Sequence, residues 1–461
     1  MNTMLKVRKR DLYGLIDLGG NWIIEPKFCE LGNCFDEKGF YVAGIYDGYD
    51  DNGISIIKYG FIDTKGEWLI KPIYDEAYDF SDVDLAMCGL KNSDLSYGFI
   101  DRSGEWVISP TLEECEGFGY GKTLSISKTN GKYGLLDIKG NWVCEPRFDE
   151  IMEGQSIDLF NNRAFQVYVI DKIVRERYSN ELYIAKEHSK WGVIDKQGNW
   201  IIKPEYDEIA YFEESWIRVC VENKWGAINF YGEWIKEPTF ESFNLFKDDN
   251  IAVAKLDKKF GILNRQFDWI VKPIFEEIEN YFYDGLNIAK MHGKYGIIDT
   301  SGKWVIEPTF DYLELFNNDL AVACIDKKCG FINRAGVWII EPVFDSAGRF
   351  KKNGYAVARM YAKCGLIDTS GKWIVAPTFD RLLLFDDELS QNAIAHAELN
   401  GKYGLIDING DWTTGPLELD ERPSNIGTAS LIKAQKNRKY GCINERYEWV
   451  IMPEFDDINL A

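Results

Sequence analysis

Histidine, the commonest acid–base residue and metal ligand, occurs only three times in the 461 residues, as His188, His292 and His396. The three stand far apart, at or near the turn before a Lys-aromatic-Gly strand. No Ser sits in a nucleophile elbow, no Gly-rich loop opens a helix, and no C-x-x-C or zinc-like Cys/His cluster occurs. Paired carboxylates abound, as in Glu276/Glu277 and Asp456/Asp457. A glycosidase pair must face one cleft at about 5–9 Å, whereas most of these acids recur at fixed places along the chain. The stretch "YDGYDDNG", Tyr46 to Gly53, resembles a calcium loop in composition only. Counting back from Gly53, the ligand positions hold Gly48, Asp50 and Asn52, the first ligand is missing, and the stretch reads as an exposed hairpin tip. We expect no enzyme, no cofactor and no metal site.

The recurrence of the acids leads back to the elements that carry them. An aromatic-Gly pair returns with its Gly at 14, 60, 98, 134, 192, 226, 261, 296, 330, 365, 404 and 441, which makes twelve units. The residue before the aromatic is Lys in ten of the twelve, and every unit carries a Trp with a Pro four residues later. In "KYGIIDTSGKWVIEPTFD", Lys294 to Asp311, the runs "YGIID" and "WVIEP" are apolar and β-branched, the length of strands. Between them, Asp299 and Gly302 suit a type I turn closed by a Gly bulge. The Asp place holds Asn in four units (Asn229, Asn264, Asn333, Asn444). A catalytic carboxylate could not accept that exchange, but an Asx turn can. Phe267 and Tyr447 replace the turn Gly in two units, where we expect a different loop, because a bulky residue is strained at positive φ. Pro308 is expected to end its strand for want of a ladder donor. An aromatic follows two residues later, then an acid in ten units, and "FDYLELF" and "LAVACID" supply two more strands. Each unit is thus three or four antiparallel strands with no helix.

Eight turn Asp and ten post-aromatic acids account for most of the net charge of −21, so the acidity belongs to the repeat and does not point to a cationic ligand. A duplex-binding protein presents a basic face, and we expect no nucleic acid. No apolar stretch approaches membrane-spanning length and the N-terminus lacks a secretion signal, so we expect no membrane and a cytoplasmic location. The ten cysteines are scattered. Cys329 and Cys364 take the place of the aromatic before Gly, as buried hydrophobes would, which fits reduced thiols.

On these residues the chain closely resembles the WG-repeat, or KWG-repeat, family of bacterial proteins, from about Leu5 to Asp457. The resemblance implies a repeat fold, and no catalytic residues can be carried over. The eleventh unit, "DWTTGPLELD", departs from the pattern. We expect an all-β chain, residues 1–461 forming one array of twelve repeats with insertions near 38–54 and 155–189. The units are expected to stack as an open curved β-solenoid; the alternative is a closed propeller ring or rings, which usually have four to eight blades. The expected function is a non-catalytic scaffold that binds a protein partner. The alternative is a carbohydrate- or small-molecule-binding array, which would need the repeated tryptophans exposed; Trp304 is expected to be buried. The longer insertion holds the runs Phe165 to Ile170 and Leu182 to Ala185 around a tip with Arg175, Arg177 and Tyr178. These three are the expected partner-binding residues, since Arg and Tyr anchor interfaces.

Overall fold

The computed structural model describes every residue except 1–2, 33–35, 37, 51, 92–93, 120–121, 154–181, 213–215, 245, 247–249, 318, 386–394, 427–430 and 461. The described elements are all strands, arranged as twelve four-stranded sheets with chain neighbours paired antiparallel. We number these blades 1 to 12 along the chain. Blade 8 is typical. Its strands are Glu277–Ile278, Leu286–Met291, Lys294–Asp299 and Trp304–Phe310, side by side in that order. The repeat seen in the sequence begins at the third strand, so each sequence unit straddles two blades.

That offset decides the architecture. The N-terminal strand Met4–Lys9 is the second strand of blade 1, and the first is supplied by Asp457–Leu460. Leu5 faces Leu460, Val7 faces Ile458, and Arg8 faces Asp457. Asp456 also accepts the Arg10 N–H at 2.8 Å. The first and last strands of an open array cannot pair. The open solenoid is therefore overturned: the C-terminal strand completes the N-terminal sheet, as in the closing blade of a β-propeller. The usual blade number and the missing linker had argued for openness, but the exchange of one terminal strand outweighs both.

The chain divides into two compact units, Met1–Pro238 with Glu454–Ala461, and Thr239–Pro453. The first holds blades 1–6 and the second blades 7–12, with the divisions falling inside the fourth strands of blades 6 and 12.

Within a blade, the third and fourth strands depart from a plain ladder. Tyr295 faces Phe310, Ile297 faces Ile306, and Ile298 faces Trp304. The fourth strand therefore carries extra residues on either side of Ile306, which makes it bulge. Pro308 lies inside this strand rather than ending it, correcting the sequence expectation. A bulge on an edge strand is a place where a missing N–H costs nothing. It also blunts an edge that could otherwise pair with a foreign strand. The bulge explains Gly296: a Cβ there would stand 2.4 Å from the Ile306 carbonyl oxygen and 2.8 Å from the Trp304 ring.

The turn between these strands is the expected one. Asp299 Oδ1 accepts the N–H groups of Ser301 (2.9 Å) and Lys303 (3.0 Å), and Gly302 has φ 76°. A Cβ at Gly302 would stand 2.3 Å from Val271 of blade 7, so the turn is also a packing surface. Asn229, Asn264, Asn333 and Asn444 accept the same pair of bonds. Phe267 and Tyr447 do not use a different loop. They hold the Gly conformation at φ 60° and 59° and close it with the same bond. Both rings are buried, and that burial offsets a strain of about 1–3 kcal/mol.

In ten blades the second and third strands meet in two-residue turns with both residues at positive φ, as at Asp257-Lys258 and Asp326-Lys327. This is the type I′ hairpin that matches strand twist. Cys324 and Cys329 face each other across such a hairpin and are joined as a disulfide, which departs from the reduced thiols expected of this pair. The run from Leu182 to Ala185 largely falls in Tyr183–Glu187, the second strand of blade 5, paired on both sides. It belongs to the repeat and not to an added hairpin.

Candidate functional site

The repeated polar and aromatic residues are engaged in holding blades together. In ten of the twelve blades the Trp of the fourth strand meets the aromatic that ends the preceding one; the strands before Trp142 and Trp449 end in Leu112 and Glu418 instead. Phe28–Trp68, Tyr74–Trp106, Phe148–Trp200, Phe275–Trp304, Phe310–Trp338, Phe344–Trp373 and Phe379–Trp412 stand edge to face at 5.4–5.7 Å. Phe455 meets Trp22 in the same way at 5.7 Å. Trp304 is half-buried, less enclosed than expected, but its ring is committed to Phe275 and lies over Gly296.

The post-aromatic acid is a latch. Asp311 pairs with Lys294 of blade 8, and its other oxygen accepts the Asp326 N–H, in the hairpin of blade 9, at 2.9 Å. Asp345 does the same with Lys328 (2.6 Å) and the Tyr361 N–H (2.8 Å), and Asp380 with Lys363 (2.5 Å) and the Asn400 N–H (2.7 Å). The lysine first, then the other hydrogen bonds, hold these three carboxyls below the usual range. A carboxylate fixed from two sides is poorly suited to proton transfer. Arg102 is likewise satisfied: its guanidinium lies 4.8 Å from the Phe40 ring and 4.5 Å from the Phe80 ring and binds Asp36 and Asp84. Among the described residues, no group of three or more His, Cys, Asp or Glu is placed to hold a metal ion.

Two regions break the pattern. The first is the hairpin of blade 2. Its strands, Tyr41–Tyr49 and Ser55–Ile62, run past the point where the other blades turn. Tyr46 faces Ile57 and Tyr49 faces Ser55. Three steps on one strand match two on the other, a bulge at Asp47-Gly48, where Gly48 has φ 106°. Alternation would set Tyr46 and Tyr49 on opposite faces; the extra residue places both on one face. They are 55% and 74% exposed. The tip is an Asx turn in which Asp50 Oδ1 accepts the Asn52 and Ile54 N–H groups at 2.9 and 2.8 Å.

The second is the seam between blades 11 and 12. Sequence reading put His396 near a turn, as it did His188 and His292, which do stand in exposed type I′ turns. His396 instead lies inside the strand Ala395–Leu399, half-buried, with Nδ1 2.9 Å from the Tyr447 hydroxyl. The signals that identify this seam are Tyr447 in a Gly place and Thr414 in an Ile/Val place. Each was visible in the sequence, but nothing there joined them.

Arg175, Arg177 and Tyr178, the expected partner-binding residues, lie outside the described residues, as does the run from Phe165 to Ile170.

Comparison with known proteins agrees with the repeat. The family profile of the WG-containing repeat matches residues 13–43, 59–87, 97–133, 133–153, 191–225, 225–260, 260–295, 295–329, 330–364 and 365–403, more than half of the chain. No curated protein matches. Among solved structures, a eukaryotic initiation factor is similar at 9% identity and a TM-score of 0.31, over 73% of this chain and 94% of that one. Apo AztD from Citrobacter koseri is similar at 14% identity and a TM-score of 0.27, over 61% of this chain and 97% of that one. Scores this low carry no argument about function. The repeated residues and the profile together establish that the chain belongs to the WG-containing repeat family.

Proposed function

We propose that the chain is a non-catalytic scaffold that binds a protein partner, and that the hairpin arm of blade 2 makes the contact. The bulge at Asp47-Gly48 carries this reading. It turns Tyr46 and Tyr49 to one face of a projecting arm, beside Ser55 and Ile57. Tyrosine supplies a large amphipathic contact at low entropic cost and is enriched at protein interfaces. Asp47 and Asp50 stand next to this strip on a chain of net charge −21, so the partner surface that fits is apolar and rimmed by Lys or Arg. The repeated tryptophans are used between blades, which favours this reading over a sugar-binding array.

The test is to replace residues 46–57 with Asn-Gly, giving blade 2 the short hairpin of its neighbours. Partners retained on the parent and on this variant are compared after capture from native lysate. The variant should melt like the parent and lose a partner whose capture by the parent weakens with salt. Retention of every partner by a variant of unchanged stability would overturn the assignment.

A further inference from the structure

Successive blades meet through a row of three residues, one from each of the second, third and fourth strands. In blade 7 the row is Val253, Ile262 and Val271, each directly opposite the next. In blade 9 it is Val322, Phe331 and Ile340, packed on Phe350, Ala356, Ala358 and Ile367. In blade 11 the row is His396, Leu405 and Thr414. Its ends are His and Thr where the rows of blades 7, 8 and 10 are aliphatic throughout, and it packs on Ala434, Ile443 and Tyr447 of blade 12. The Thr414 hydroxyl is buried and has no hydrogen-bond partner among the described residues.

We propose that this seam is an acid-sensitive joint, which opens when the His396 imidazole, bridging to Tyr447 across the seam, takes up a proton.

The geometry supplies the reason. The imidazole lies between the Phe385 ring, 4.7 Å away and edge to face, and Tyr447, whose hydroxyl bonds Nδ1. Leu383 stands opposite it on the first strand and Leu405 on the third. Among the described residues, the titratable and charged groups around it are Tyr447 from the turn of blade 12, Tyr403 from the third strand of blade 11, and Arg422 from the chain between the two blades; Glu398 and Arg381 act on Tyr403. Arg422, the described charged group that acts directly on His396, is a cation. Burial first, then Arg422, hold the imidazole below its ordinary value. The folded state therefore keeps His396 neutral. Its contribution to stability is complete above about pH 6.5, the ordinary value in the unfolded chain, and is lost as pH falls through the lowered one. The latch carboxyls of Asp311, Asp345 and Asp380 are held below the ordinary carboxylate value, so these latches do not respond between pH 6.5 and 5. His188 and His292 stand in exposed turns, where the latch carboxylates Asp149 and Glu276 take their backbone N–H groups and not their rings.

Hydrogen exchange on the full chain at pH 7.5 and 5.0, corrected for intrinsic exchange, tests this. At pH 5.0 the amides of Ile432–Lys436 and Lys439–Ile443 should lose protection relative to pH 7.5, the direction set by a histidine whose proton affinity is weakened by folding, while those of Leu320–Ile325 hold theirs. His396→Val makes that end of the row aliphatic and His396→Gln keeps a polar, non-titrating side chain. In both, the pH response should vanish. Uniform loss across the blades, an unchanged response in both variants, or no response in the parent would overturn the proposal.

Discussion

The seam from blade 7 to blade 8 and the seam from blade 11 to blade 12 are built on one backbone plan and filled in opposite ways. In the first, an aliphatic row ending in Val271 leaves room for no side chain on the facing turn, and Gly302 occupies it. In the second, the row ends in Thr414, a smaller and polar residue, and the turn carries the buried ring of Tyr447. That ring packs with Leu405, Leu419, Ala434 and Ile443. The Gly of the repeat is thus set by its neighbour across the seam as much as by its own φ. The second seam gains a hydrogen bond to His396 and a dependence on that residue's charge.

The largest effect that would sharpen this contrast is Gly302→Val. It combines strain at φ 76° with a clash against Val271, and should cost about 4 kcal/mol. Thr300→Val in the same loop should stay within about 0.5 kcal/mol. Equal melting shifts for the two would break the account of the turn. Next comes Trp304→Ala, which removes the ring packed on Phe275 and should cost about 3 kcal/mol. Hydrogen exchange should show the damage in blade 7 as well as blade 8; damage confined to blade 8 would mean that the ring does not join them.

Tyr447→Gly should also destabilise, by about 2 kcal/mol, the lost burial exceeding the relieved strain. Denaturant midpoints decide it, and a stabilised variant would show that the strain outweighs the burial. The smallest effect is Asp311→Asn, which weakens one latch between blades 8 and 9. Asp311, Asp345 and Asp380 have lowered carboxyl values in the fold. Their contribution is present above about pH 3.9, the unfolded value, and is lost as pH falls further. In the His396→Val background, urea midpoints should hold from pH 7 to 5 and drop below pH 4, less steeply with Asp311→Asn. An early drop would assign the acid response elsewhere.

Local structure was legible in the sequence wherever a residue type answers to its own neighbours. Asp299 and Gly302 make their turn with atoms two to four residues away, so spacing alone identified it, and the Asp-to-Asn exchange showed that its role is hydrogen bonding. Period and strand length likewise gave an all-β repeat. The sequence could not show where a blade begins, because the repeat reads the same from any starting strand; only the pairing of Met4–Lys9 with Asp457–Leu460 fixed the phase and completed the N-terminal sheet. Pro308 looked like a strand end because a missing donor is a local fact, whereas the bulge that tolerates it needs the third strand. Phe267 and Tyr447 looked like new loops because the space that accepts them belongs to packing partners distant in sequence. The same holds for the two departures from the repeat. Tyr46 and Tyr49 share a face only through a bulge, and His396 meets Tyr447 across 51 residues, because side chains that act together here do so through register and packing, which tertiary structure alone decides.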